Sequence, residues 1–260
     1  MATEKARYDF ITEEVALPSE GYFYPESSPL SSGIVTVKYM TANEEDILTT
    51  RSYITRGVVF DKLLEAVLVQ RDIKLDDLLL GDKNAVLIST RILGFGPLYN
   101  VTIKCPSCNA ESEHEIDLRE VEGKETDFSA YEKGVNRFKF TLPTSQREVE
   151  FKLLTHKDEH AINAEIDQTK KVLKNAASPE ITTRLRAAIV SIDGEESREK
   201  INVFVNRQIL ALDSRALRDE IRRVSPDMDM RFEFVCPECS HEAKLAIIPD
   251  IHFFWPSTES

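Results

Sequence analysis

Apolar positions along this chain switch repeatedly between a period of two and a period of about 3.6. Ile34, Val35, Val37 and Tyr39 form a strand-like run that ends at Met40. Thr41-Ala42-Asn43-Glu44 then reads as a capping box, in which hydroxyl and carboxylate satisfy free amides at a helix start. Ile47 and Leu48 open the buried face of that helix, and Gly57 is expected to end it. Residues 58–70 predict a second helix, with Val59, Leu63, Leu64, Val67 and Leu68 at helical spacing. After a short apolar turn over 75–80, Asp82 is expected to cap a helix through Val86, Ile88, Ile92 and Leu93, which Gly94-Phe95-Gly96-Pro97 breaks. Tyr99, Val101 and Ile103 then alternate up to Cys105, and His114, Ile116 and Leu118 mark a returning strand.

The second half repeats this plan. Phe138, Phe140 and Leu142 alternate, as do Val149, Phe151 and Leu153, which predicts a hairpin about Pro143-Thr144-Ser145. Thr155-His156-Lys157-Asp158 caps a helix carrying Ile162, Ile166, Val172 and Leu173, and another helix runs through Leu185, Ala188, Ile189 and Ile192. Ser214 is expected to cap the last long helix, with Leu217, Ile221 and Val224 inside, before Phe232 and Phe234 alternate toward Cys236. Two copies of one unit, separated by an insertion, are the natural reading. The expected organisation is an arm over 1–29, a first half over 30–125 and a second over 126–260. The arm, with Tyr22, Phe23 and Tyr24 among turn formers, either folds over the body or docks on a neighbouring subunit. Phe253-Phe254-Trp255 is either a partner contact or an ordinary terminal core segment.

The chain's four cysteines form two matching turns, Cys105-Pro106-Ser107-Cys108 and Cys236-Pro237-Glu238-Cys239, each at the tip of a predicted hairpin. Two residues between cysteines in a tight turn put two sulfurs at the separation a tetrahedral zinc requires. Two such turns complete a closed, zinc-ribbon-like site and clamp the halves together. Reduced buried thiols and a redox dithiol are the rival readings; the second lacks the helix N-terminus that activates such cysteines. His114 and His241 stand nearby but are surplus to a shell filled by four thiolates. The fold class expected is α+β, two similar helix-plus-hairpin halves joined by a structural four-cysteine zinc site.

Composition narrows the function classes. The chain has 260 residues, 42% hydrophobic and 30% charged, as an ordinary globular protein has. No apolar run reaches the roughly 18 residues that would span a bilayer. The opening residues lack an apolar signal core, which favours cytoplasmic synthesis, where paired thiols serve as metal ligands more often than as disulfides. With 33 basic against 45 acidic residues the net charge is -12, unfavourable for general phosphate-backbone binding. Arg215, Arg218, Arg222 and Arg223 form one local basic face, read as solvated or protein-contacting.

Catalytic signatures are missing. Gly94-Phe95-Gly96 lacks the third glycine of a dinucleotide loop and reads as a helix stop. His156-Lys157-Asp158-Glu159-His160 has two histidines four apart, but in a metallopeptidase helix the Glu directly follows the first His. A helix start explains these residues. Asp72, Asp76, Asp77 and Asp82 show no sign of converging on one pocket. Hydrolysis has only this weak support.

Several short stretches carry a likeness to a known family: Leu17-Pro18-Ser19 with Gly21 and Tyr24-Pro25; Met40-Thr41-Ala42-Asn43-Glu44-Glu45-Asp46-Ile47-Leu48; Leu78-Leu79-Leu80-Gly81-Asp82-Lys83-Asn84-Ala85; Arg91-Ile92; and the Cys105 to Cys108 turn. Together they resemble baseplate proteins of T-even-like, contractile-tailed bacteriophages, over roughly residues 15 to 120 and again at the second cysteine hairpin. The resemblance implies a non-enzymatic hub subunit or hub assembly factor, made in the bacterial host, with other tail and baseplate proteins as partners. It leaves open whether the protein stays in the virion. The alternative from another class is a nucleic-acid-binding zinc-ribbon protein.

Overall fold

The computed structural model describes residues 10–172, 178–247, 249 and 251–254. Residues 1–9 of the expected arm, Leu173 and Trp255 lie outside them. Strand β1 (Thr12–Ala16) pairs antiparallel with β2 (Ile34–Lys38), placing Val15 opposite Val35. Helices α1 (Ala42–Thr49), α2 (Arg51–Thr55) and α3 (Val59–Val67) follow. The capping box forms, with the Glu44 carboxylate accepting from the Thr41 amide at 2.8 Å and paired with Lys38. The expected single helix up to Gly57 is instead broken at Thr50, whose backbone is extended. The second helix ends at Val67 because Leu68 turns extended and bridges Val37, widening the β1–β2 sheet.

Helix α4 (Leu80–Phe95) stops at Gly96, which takes a φ of 83° that side-chain-bearing residues avoid. Strands β3 (Leu98–Lys104) and β4 (Glu111–Asp117) form the first cysteine hairpin. The second half begins with β5 (Phe138–Thr141), β6 (Glu148–Phe151) and α5 (His156–Val172). Next come α6 (Glu180–Ala188) and β7 (Ile189–Ile192), and the sheet order is β5-β6-β7. Ile189 and Ile192, expected on a helix, lie on β7 because pairing with β6 wins over helix continuation. Helix α7 (Arg198–Val203) runs into a wide turn over Phe204–Gln208, and α8 (Ala211–Val224) leads to β8 (Arg231–Val235), β9 (Glu242–Ala246) and the short α9 (Ile251–Phe254). The expected α+β class, helices with small antiparallel sheets, is borne out.

Two helix starts differ from the sequence reading. Leu79 and Leu210 are the N-caps of α4 and α8, so neither Asp82 nor Ser214 caps its helix. Asp82 and Asp213 each stand third in the helix, fully buried, and tie it to an earlier Leu-Pro turn. Asp82 accepts from the Ser19 amide at 3.0 Å, the Ser19 hydroxyl at 2.7 Å and the Tyr24 hydroxyl at 2.6 Å. Asp213 accepts from the amides of Thr144 at 2.7 Å and Ser145 at 3.0 Å. From these aspartates to the first cysteine of each turn the step is 23 in both halves (105 minus 82, 236 minus 213). The repeat therefore runs in register from Asp213, one residue before the serine that the sequence suggested. Helices α3 and α6 correspond too: each has nine residues and hands over at its C-cap to a residue bonded to the preceding strand.

One contiguous apolar core draws on both halves, from Val15 through Phe151 to Phe254. Phe23 lies edge-on to Phe128 and Phe138 and is 2% exposed, so this stretch of the arm folds over the body. Burying such a ring contributes about 1.5–3 kcal/mol. Phe253 and Phe254 are core residues as well. Gly81 is required where α4 meets the loop after α8: a Cβ there would lie 2.0 Å from the Pro226 carbonyl oxygen.

Candidate metal centre

The two cysteine turns have the same backbone. The Cys105 amide donates to the Ala110 carbonyl and the Asn109 amide to the Cys105 carbonyl; Cys236, His241 and Ser240 repeat both bonds at equal spacing. Asn109 and Ser240 take φ values of 62° and 57°, the left-handed step that closes each loop. The hairpins face one another. Cys105 Sγ lies 3.7 Å from Cys239 Sγ, and Cys108 Sγ lies 3.7 Å from Cys236 Sγ. All four sulfurs fall within 4.8 Å of each other.

That separation discriminates among the readings. A disulfide needs about 2.05 Å between sulfurs, and these cysteines are free. A tetrahedron with metal–sulfur bonds of about 2.3 Å has edges of about 3.8 Å. The donor set therefore fits one metal ion of the soft kind that thiolates bind. Cys105 and Cys236 are buried against Phe234, Ile103 and Leu245, whereas Cys108 and Cys239 are exposed at the tip.

The electrostatics point the same way. Burial pushes the Cys105 thiol up, but amide donors from Cys108 and Ser107 and the thiols around it bring it down to about 6. The Ala110 amide pulls Cys108 down, yet the thiols of Cys239, Cys105 and Cys236 push it up to about 12. One thiolate forms readily and its charge opposes the next, a conflict that a bound cation relieves. His114 bonds Ser112 at 2.8 Å and lies against Phe234, outside the sulfur cluster.

A second cluster was not foreseen. Helix α5 starts as expected, with Asp158 accepting from the Thr155 amide at 3.0 Å. Its two histidines, four apart, both reach Asp61 on α3. His156 Nε2 lies 3.1 Å and His160 Nε2 2.8 Å from the carboxylate oxygens. The i, i+4 spacing was the one signal in the sequence; its acidic partner lies about a hundred residues away. Lys83 Nζ stands 3.1 Å from His156 Nδ1 and 3.2 Å from Glu159. An ammonium there occupies the place where a metal-bound imidazole needs an acceptor. The cluster is a charged joint between the halves.

Burial raises Asp61, but hydrogen bonds from His156 and His160 and the charge of Lys83 outweigh it and hold the carboxyl below its usual range. A carboxyl with a depressed folded pKa stabilises above its unfolded value, near 3.9, and loses that contribution as pH falls through the folded one. Asp61→Asn is therefore expected to flatten the loss of thermal stability below about pH 4. An unchanged acid limb in the variant would remove the joint from the stability account.

Other predicted features are placed plainly. Arg215 and Arg222 pair with Asp219, and Arg223 with Glu220, so carboxylates interleave the basic face of α8. No described helix is long and apolar enough to cross a membrane. Compared with known families, the chain matches the one described as T4 bacteriophage base plate protein, over residues 22–255. No curated protein and no solved structure matches it.

Proposed function

The chain belongs to the T4 bacteriophage base plate protein family, and from that premise we propose that it is a non-enzymatic structural or assembly component of the baseplate hub of a contractile-tailed phage, stabilised by zinc on Cys105, Cys108, Cys236 and Cys239. The observation that carries this reading is the family match over nearly the whole chain. The sulfur cluster supports its structural side. Four thiolates would fill a tetrahedral shell and leave no position for substrate or water, so the zinc holds the halves, 30–125 and 126–260, in one scaffold. Other tail and baseplate proteins are the partners, met in the virion tail or on an assembly intermediate.

The test is recovery of the tagged chain from phage-infected cells, with mass spectrometry of what co-purifies and of finished tails. Hub proteins in the first sample support the hub reading, and presence in finished tails distinguishes a resident subunit from an assembly factor. Recovery without any tail protein counts against it. The zinc-ribbon nucleic-acid alternative predicts steeply salt-dependent binding that needs Arg218, Arg222 and Arg223. The carboxylates beside Arg222 and Arg223 weaken that case.

A further inference from the structure

The two halves differ at one apolar cleft. In the first half the cleft between α3 and α4 is filled by the chain itself. The Phe254 ring, fully buried, lies 5.4 Å from that of Phe60 on α3 and 6.5 Å from that of Phe95 on α4. Arg91 on α4 holds this segment by its backbone, Nε donating to the Phe253 carbonyl at 2.5 Å. Its guanidinium also lies 6.0 Å from the Phe253 ring centre.

The counterpart cleft of the second half lies between α6 and α8. Ile181, second in α6, stands where Phe60 stands in α3, and Leu185 stands where Leu64 does. Arg222 has the same place in α8 that Arg91 has in α4, counted from the matching helix starts. Here the cleft is open, with a volume of about 370 Å³. Ile181, Leu185 and Ile221 supply apolar lining, and Arg184, Arg218 and Arg222 line it as well. Ile181 is 50% exposed.

Among the described residues, the segment that corresponds by position has nothing apolar to insert. By the offset between α4 and α8 (211 minus 80, or 131), the counterpart of Phe253-Phe254 is Glu122-Gly123, which offers no apolar side chain. That segment instead closes the end of α8 through its backbone. The Glu122 carbonyl accepts from the Asp229 amide, Gly123 bridges Met228, and the Lys124 amide donates to the Asp227 carbonyl at 2.7 Å.

We infer that this cleft is the docking site for a short helical segment of another protein, bearing two adjacent aromatic side chains beside an acidic residue. One ring takes the volume that Phe254 takes in the first half, and Arg222 accepts the role of Arg91 toward a main-chain carbonyl. The acidic residue meets Arg218. Arg222 already pairs with Asp219 and Arg184 lies 3.9 Å from Glu159, so Arg218, bonded to the Ser214 carbonyl, is the guanidinium that favours an acidic group on the partner. Glu180 and Asp227 also line the cleft, so this selection acts on its arginine side. That the partner is a baseplate protein rests on the function proposed above; the chemistry of the cleft does not.

The probe is a labelled peptide Pro-Asp-Ile-His-Phe-Phe, the sequence of residues 249–254, titrated with the full-length zinc-loaded chain by fluorescence polarisation. Saturable binding is expected, weakened roughly tenfold or more by Ile181→Asp and by Arg222→Ala. Both variants should keep the metal content and melting temperature of the parent chain, and a peptide with both Phe replaced by Ala should not bind. No saturable binding up to about 1 mM, or binding indifferent to both substitutions, overturns the assignment. A self-association of the chain that Ile181→Asp abolishes also overturns it, because the occupant is then a second copy. Failure to recover tail proteins from infected cells leaves these titrations unaffected, so the two proposals fail separately.

Discussion

Replacing Cys236 with serine is expected to abolish metal binding and to cause the largest loss of stability of any single substitution in this chain. Serine keeps the volume of the side chain but supplies no thiolate, so three donors remain for a site whose sulfurs are spaced for four. Structural zinc sites bind with apparent free energies on the order of 10 kcal/mol or more, comparable to the whole stability of a typical domain. Not all of that is lost, because the apolar core joins the halves independently of the hairpins. The expected outcome is one zinc per parent chain by plasma mass spectrometry and none in the variant. The melting temperature should fall by about 10 °C or more, and new proteolytic cleavage should appear at the hairpins. Ser107→Ala, which keeps all four sulfurs and the backbone donor to Cys105, should change neither quantity. A Cys236→Ser protein with full zinc and an unchanged melting temperature would show that the sulfurs do not share an ion.

Asp82→Ala carries the second-largest expected effect, about 3–5 kcal/mol. The substitution strands the Ser19 amide and the hydroxyls of Ser19 and Tyr24, all buried, and each unsatisfied group costs about 1–3 kcal/mol. It also releases residues 17–24 from α4, the contact that folds this stretch of the arm down. Chemical unfolding of Asp82→Ala, Ser19→Ala and the double variant gives the coupling, and strict additivity would refute the shared network. The pH dependence has the opposite sign from that of Asp61. Burial raises Asp82 above the usual carboxylate range, against the hydrogen bonds that lower it. The folded state thus holds this proton more tightly than the unfolded chain does. The contribution is complete below the ordinary carboxylate value and is lost as pH rises through the folded one. Asp82→Asn should remove this dependence while keeping an acceptor for the Ser19 amide.

The contrast between Asp82 and Asp213 shows what position does to one residue type. Both stand third in a buried helix start, yet Asp213 is lowered, because amides of Thr144 and Ser145 outweigh its burial. At Asp82 burial outweighs the hydrogen bonds from Ser19 and Tyr24, and the carboxyl is raised. The repeat conserves the geometry of the joint while its electrostatics diverge. The clefts diverge in the same way, one filled by Phe254 and one left open beside Ile181.

The sequence alone determined what neighbouring residues settle among themselves: strand alternation, the Thr41 and Thr155 caps, the paired Cys-Pro-x-Cys turns and the duplicated order of elements. These depend on spacings of two to about five residues, where backbone geometry leaves few choices. Tertiary structure alone decided the fate of polar groups at helix starts, because an aspartate there serves either its own amides or a segment packed across it. Asp82 answers to Ser19, 63 positions earlier, and Asp61 to His160, 99 positions later. It also decided that Ile189 extends rather than coils and that Phe254 returns to cover α3 and α4. Such outcomes follow from which surfaces exclude water together, and no local pattern encodes that.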